Sequence, residues 1–144
     1  MSNEDKIKQV IVMRTQYKDR NGNPMKIRTG KLIAQGAHAS IAFLTNKIRK
    51  YEEEKFNNES NRFSLDDVQS EWVEGAFTKI CLQVQTEEEL DKIYEDARKA
   101  GLEVHLITDS GLTEFHGVPT KTCLAIGPDY SSKIDPITNH LKLL

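Results

Sequence analysis

The chain has 144 residues, 38% hydrophobic and 29% charged, with a formal net charge of −2. That is one ordinary domain's worth of sequence, enough to bury a core without a metal or disulfide staple. No apolar run approaches the roughly 18–20 residues of a membrane span, Met1–Asp5 does not read as a signal peptide, and Cys81 and Cys123 each sit in an apolar run, the usage of reduced thiols in a cytoplasmic protein.

In chain order, Lys6–Arg14 holds Val10-Ile11-Val12-Met13 between charges and reads as a buried strand. Gln16–Arg28, with Asn21-Gly22-Asn23-Pro24, reads as a turn-rich loop. Thr29 is placed to cap a helix opening with Gly30-Lys31. Its first turns carry Ala34, Gly36, Ala37, Ala39, Ser40 and Ala42, small residues that let a helix lie close to a sheet. Gly36 costs about 1 kcal/mol there against Ala, which close packing can offset. Ser64-Leu65-Asp66-Asp67 starts a second helix that Gly75 ends, and Phe77–Gln85 alternates as a strand. Thr86-Glu87-Glu88-Glu89 is a capping box, followed by Leu90, Ile93, Tyr94 and Ala97 on one helical face and by Gly101. Leu102–Thr108 and Thr120–Ile126 are two more strands, the latter closed by Gly127-Pro128, and Ile134–Leu144 is a C-terminal helix. The expected architecture is one α/β domain over residues 1–144, a mixed sheet of about four strands covered by helices on both faces, with the last two strands antiparallel.

The charge is unevenly spread. Residues 1–50 hold 11 Lys/Arg against 3 Asp/Glu, and residues 51–100 hold 6 against 14. Because screening confines each charge to about one Debye length, the basic third can attract phosphates whatever the total.

Familiar catalytic signatures are absent. Gly30-Lys31 is not a phosphate-binding P-loop, since Leu32 stands where Ser or Thr belongs and Met25 where the first Gly belongs. There is no GxGxxG or GxSxG, and His38, His105, His116 and His140 lack metal-ligand spacing, so no metal is expected. Two segments remain. In Gly30–Ser40 a lysine at a helix start offers an anion seat, with Gln35 one turn later on the same face. In Thr108–Pro128 an acid, Asp109, leaves a strand's carboxyl end, where α/β folds gather ligands. Asp109 can orient a water, and Thr113 and Thr122 can hydrogen-bond a reacting carbonyl or its water. The plainer reading of the same residues is an Asx-type turn and β-forming threonines.

Arg14 in VIVMRT, Gly30-Lys31-x-Ile33-Ala34-Gln35-x-Ala37-His38-Ala39, Lys79–Val84, Asp109-Ser110-Gly111-x-Thr113, Thr122-x-Leu124-Ala125-Ile126-Gly127-Pro128 and Ile137-Thr138-x-His140-Leu141-Lys142-Leu143 follow one another in one order. Together they resemble the type 2 peptidyl-tRNA hydrolases. The resemblance implies cleavage of the ester joining a peptide to the 3′ end of tRNA, a homodimer, a cytoplasmic location and no cofactor. It places the family's functional lysine on Lys31, its aspartate on Asp109 and its threonines on Thr113 and Thr122. The Asp109-to-Thr122 interval is one residue longer than the family's, which leaves Thr120 as the alternative, and Asp-Ser-Gly stands where the family has Asp-Ala-Gly. On this reading Lys31 lies beside Asp109, while Lys18, Arg20, Lys26, Arg28 and Gln35 contact the tRNA. His116 is a second acid–base candidate. The competing class is a non-catalytic tRNA- or protein-binding module, with the acidic Tyr51–Glu74 segment facing a partner.

Overall fold

A computed structural model describes residues 5–55, 63–111 and 115–144. Along these, β1 (Ile7–Arg14) leads through a small hairpin, β2 (Tyr17–Lys18) and β3 (Pro24–Met25), into α1 (Thr29–Glu54). There follow α2 (Asp67–Glu74), β4 (Lys79–Val84), α3 (Glu87–Lys99), β5 (Val104–Asp109), β6 (Thr120–Tyr130), α4 (Ser131–Thr138) and β7 (Lys142–Leu143). The sheet order is β5-β6-β1-β4-β7, with β1 and β4 parallel and the other pairs antiparallel, so the mixed α/β sheet is as expected.

Alternation along β1 builds two cores. Val10 and Val12 meet Leu90, Ile93 and Ala97 of α3 and Ile134 of α4 on one face. Ile11 and Met13 meet Ala39 and Ala42 of α1 on the other. The small residues of α1 do bring it close, since a side chain on Gly36 would stand 3.5 Å from the Met13 methyl. A polar clasp fixes the contact: Gln9, wholly buried, donates from Nε2 to the Ser40 carbonyl (2.8 Å) and accepts from Ser40 Oγ (2.5 Å). The hairpin is pinned by Tyr17 and Ile27, which pack on Phe115.

Several expectations are corrected. Five strands form the sheet among the described residues, not four, because the expected C-terminal helix stops at Thr138 and Lys142–Leu143 turns to pair with Leu82 and Gln83. This supplies partners to a β4 edge that would otherwise lie open, and the Leu144 amide adds a bond to the Cys81 carbonyl (3.1 Å). Gly127-Pro128 does not end β6. At φ +93°, Gly127 stands where a side chain would come within 2.9 Å of the Lys8 carbonyl, and a register shift opposite Lys8–Val10 carries the strand on to Tyr130. Thr29 is helical rather than a cap; Arg28 holds the N-cap position without a side-chain bond. Asp66, not Ser64, caps α2, in a full capping box with Gln69. At α3 the box is half made: Thr86 accepts from the Glu89 amide (3.2 Å), while Glu89 reaches the Gln85 amide instead. Part of the Gln16–Arg28 loop is the β2–β3 hairpin.

Candidate active site

The site forms where α1 begins, β5 ends and β6 starts. Lys31, in the first turn of α1, points its ammonium at Asp109, the last residue of β5; Nζ stands 2.8 Å from Oδ1, and both side chains are almost nine-tenths buried. One turn on, Gln35 donates from Nε2 to the same Oδ1 (3.3 Å). The other oxygen, Oδ2, accepts the Gly111 amide (2.9 Å). That amide is available because Gly111 has φ +85°, and a Cβ there would lie 2.4 Å from the Val118 carbonyl oxygen. Only glycine fits this turn.

Burial by itself would raise the Asp109 carboxyl. The hydrogen bond from Lys31, the Gly111 amide, the Lys31 charge and the Gln35 amide outweigh it and hold the group below its ordinary value. Asp109 is thus a carboxylate at neutral pH. Each carboxylate oxygen offers about two acceptor positions. Oδ1 uses two and Oδ2 one among the described residues, so Oδ2 keeps a position for a water.

Thr122 is 1% exposed, and its hydroxyl donates to Gln35 Oε1 at 2.6 Å. Strand alternation would send Thr122 with Leu124 and Ile126 toward α3. A bulge prevents that: Ile107 faces Cys123 and Thr108 faces Lys121, which leaves Thr122 as the extra residue, re-aimed at α1. Thr120 Oγ1 instead donates to the Val118 carbonyl (2.8 Å), outside this network. Cys123 is no nucleophile; its thiol donates to the Gln35 carbonyl (3.2 Å), and burial pushes it up to about 12.

Lys31, Asp109, Gln35 and Thr122 therefore converge. Gln35, expected to contact tRNA, is 8% exposed and occupied between Thr122 and Asp109, because the Lys31 face of α1 turns inward here. Thr122, expected to meet a carbonyl or its water, is sealed behind Gln35. Thr113 lies outside the described residues. Lys18, Arg20 and Lys26 line one cleft beside the site, with exposed His116 on its rim, while Arg28 stands apart at the α1 N-cap. Arg20 donates to the His116 carbonyl (3.3 Å). Missed by sequence reading were the Gly111 amide and the Tyr17–Phe115 ring pair, whose centroids lie 5.1 Å apart with Lys31 over Phe115. Positive φ at Gly111 had a sequence signal in Asp-Ser-Gly; the ring pair had none. No group of three or more His, Cys, Asp or Glu placed to hold a metal occurs among the described residues.

The lysine–aspartate pair sits at the carboxyl-end rim of a small α/β sheet, where folds of this class gather ligands, and comparison with known proteins supplies the family. Residues 7–144 match the model of the family described as peptidyl-tRNA hydrolase PTH2. A peptidyl-tRNA hydrolase of Methanocaldococcus jannaschii is 36% identical over 138 residues, covering 96% of this chain and all of that protein. One of Methanopyrus kandleri is 37% identical, covering 95% of this chain and 97% of its own, and one of Methanothermobacter thermautotrophicus is 34% identical. The chain belongs to the PTH2 family of peptidyl-tRNA hydrolases.

Proposed function

We propose that the Lys31–Asp109 pair is the reacting centre at which this hydrolase cleaves the ester between a peptide and the 3′ end of tRNA, releasing free tRNA. The observation that carries the reading is the 2.8 Å contact between an ammonium and a carboxylate whose Oδ2 takes a single hydrogen bond among the described residues. The water is held at Asp109 Oδ2 and attacks the ester carbonyl. Its proton passes to the carboxylate and then to the departing ribose oxygen, giving a peptide acid and a tRNA hydroxyl. A carboxylate held below its ordinary range is a weak base, so Asp109 contributes more by orienting the water than by proton affinity. Lys31 answers the charge that develops on the carbonyl oxygen, a contribution of about 10²–10³-fold. Thr122 acts through Gln35, fixing the amide that in turn holds Asp109. Thr113 is assigned a substrate or water contact by its place in the family motif alone.

Lys18, Arg20 and Lys26 hold phosphates, and Arg28 adds positive charge at the helix start. No helix among the described residues is long and apolar enough to cross a membrane, and we place the reaction with translation in the cytoplasm. The test is Lys31→Ala. Turnover should fall about 10²–10³-fold, while affinity for tRNA changes by one phosphate contact's worth at most. Equal losses in turnover and affinity would mark Lys31 as a binding residue only, as in a non-catalytic module.

We also propose that the chain is a homodimer through α1. Ile33 (68% exposed), Ala37, Ile41 (47%), Leu44 and Ile48 run along the helix at spacings of four, four, three and four. That narrow seam suits an identical helix laid across it, with Ala37 allowing close approach. Ile33, Ala37, Ile41 and Leu44 also form one wall of an apolar groove of about 790 Å³ that Val73, Phe77 and Leu144 help to line. Ile33→Glu with Ile41→Glu should give a monomer by analytical ultracentrifugation where the unaltered chain sediments as a dimer. A monomeric unaltered chain contradicts the assignment.

A further inference from the structure

We propose that the cleft at the carboxyl ends of β1 and β4 seats the last unpaired nucleotides of the RNA substrate, with Arg14 as their platform. The proposal rests on the hydrolase reading and deepens it: the cleft of Lys18, Arg20 and Lys26 is given a particular segment of the RNA, and Arg14, which the reading above does not use, is given a role. The chain leaves β1 toward α1 on one face of the sheet and leaves β4 toward α3 on the other. The crevice between two such strand ends is where open α/β sheets take ligands. Here it is a cavity of about 960 Å³. That stands at the upper end of ligand pockets, about 300–1,000 Å³, and leaves room for more than one nucleotide.

The walls differ in charge. Lys18, Arg20 and Lys26 rise on the hairpin side, and Glu87 and Glu88 on the α3 side. Between them Arg14 sits over the Tyr17 ring, its guanidinium carbon 4.4 Å from the ring centroid. Two carbonyls tie it down: Nε donates to Gln16 (2.9 Å) and Nη1 to Lys121 (3.2 Å). No carboxylate pairs with it among the described residues. A fixed, planar, unneutralised cation is what stacks on a base and grips a phosphate. The stack continues inward: Tyr17 lies against Phe115, centroids 5.1 Å apart, and Lys31 Nζ stands 5.8 Å over Phe115. A nucleotide on Arg14 is therefore two rings away from the reacting pair. A basic rail beside a guanidinium backed by buried rings suits a single strand, whose bases are free to stack on it, whereas a duplex meets a broad open surface. On this layout phosphates follow the hairpin, and exocyclic base amines meet Glu87 and Glu88, as carboxylates accept from cytosine.

The experiment compares binding of an intact tRNA with the same tRNA lacking its last three nucleotides, by fluorescence anisotropy, alongside release of tRNA from peptidyl-tRNA. The unaltered chain should prefer the intact RNA by about tenfold or more. Arg14→Gln should erase that preference without changing affinity for the truncated RNA, and Arg14→Lys should restore only part of it. Val118 is 56% exposed on the cleft wall, so Val118→Glu should erase the preference without touching Arg14 or the core. Equal binding of the two RNAs by an unaltered chain that releases tRNA overturns the cleft and leaves the hydrolase reading standing. So does a preference that survives both Arg14→Gln and Val118→Glu. An unaltered chain that releases no tRNA overturns the hydrolase reading itself.

Discussion

The Thr122 hydroxyl donates to Gln35 Oε1 at 2.6 Å, bracing the amide whose nitrogen meets Asp109. The carboxylate only accepts, so it takes the amide nitrogen, and the hydroxyl's one proton satisfies the oxygen at the other end. The reversed amide would set an oxygen against Asp109. A buried threonine thus holds in place the amide that donates to a carboxylate the threonine itself does not touch.

Thr122→Val removes the donor while keeping the shape. Gln35 Oε1 is then buried without a partner, which should cost about 1–3 kcal/mol of stability in denaturant unfolding. Turnover should fall about tenfold as Asp109 loses its fixed neighbour, with KM unchanged. Thr122→Ser should recover most of the turnover. A purely structural threonine would lower stability and leave kcat alone.

Asp109 also sets a pH dependence. Its folded value lies below its unfolded one, so the stability it contributes is present above the ordinary carboxylate range, about 3.9, and is lost as pH falls through the lower folded value. Activity should follow the carboxylate, with an acid limb below the ordinary range. Lys31→Met keeps the burial that raises the group and removes the largest of the influences that lower it, so the acid limb of kcat/KM should move to higher pH. A limb that stays in place would separate it from Asp109.

Gly111→Ala asks whether the turn matters. A Cβ would stand 2.4 Å from the Val118 carbonyl oxygen, against backbone that cannot swing aside. The turn must open, and the amide bond to Asp109 Oδ2 goes with it. Activity should drop by at least about tenfold, with the far-UV circular dichroism spectrum of the sheet retained. Full activity would show that the Gly111 amide is dispensable.

The meeting of Lys31 and Asp109 was legible in the sequence only through the family resemblance, and the fold delivers it because β1 and β5, both antiparallel to β6, run the same way and end on one rim of the sheet. The layers were legible too, since Val10 to Met13 is an unbroken apolar run, as a strand covered on both faces requires, and Leu90, Ile93 and Ala97 keep helical spacing. The bonds of Gln35 to Asp109 and Thr122 were not legible, for a physical reason. Spacing placed it on the Lys31 face, and only tertiary packing shows that this face turns inward. Thr122 and Thr120 have the same strand parity, so periodicity could not choose between them; the bulge opposite Ile107–Thr108 did. The fifth strand escaped because Lys142–Leu143 is too short to show a period, and it forms only because β4 offers an edge.

The most direct measurement is single-turnover release of free tRNA from a peptidyl-tRNA by the unaltered chain and by Asp109→Asn, with tRNA affinity determined on both. Asparagine keeps the size of the side chain and removes the charge that orients the water. The expected result is a rate lower by about 10²–10³-fold in Asp109→Asn, with tRNA affinity undiminished, since a negative charge near phosphates has been removed. Release by Asp109→Asn at the rate of the unaltered chain would contradict the assignment of the Lys31–Asp109 pair as the reacting centre.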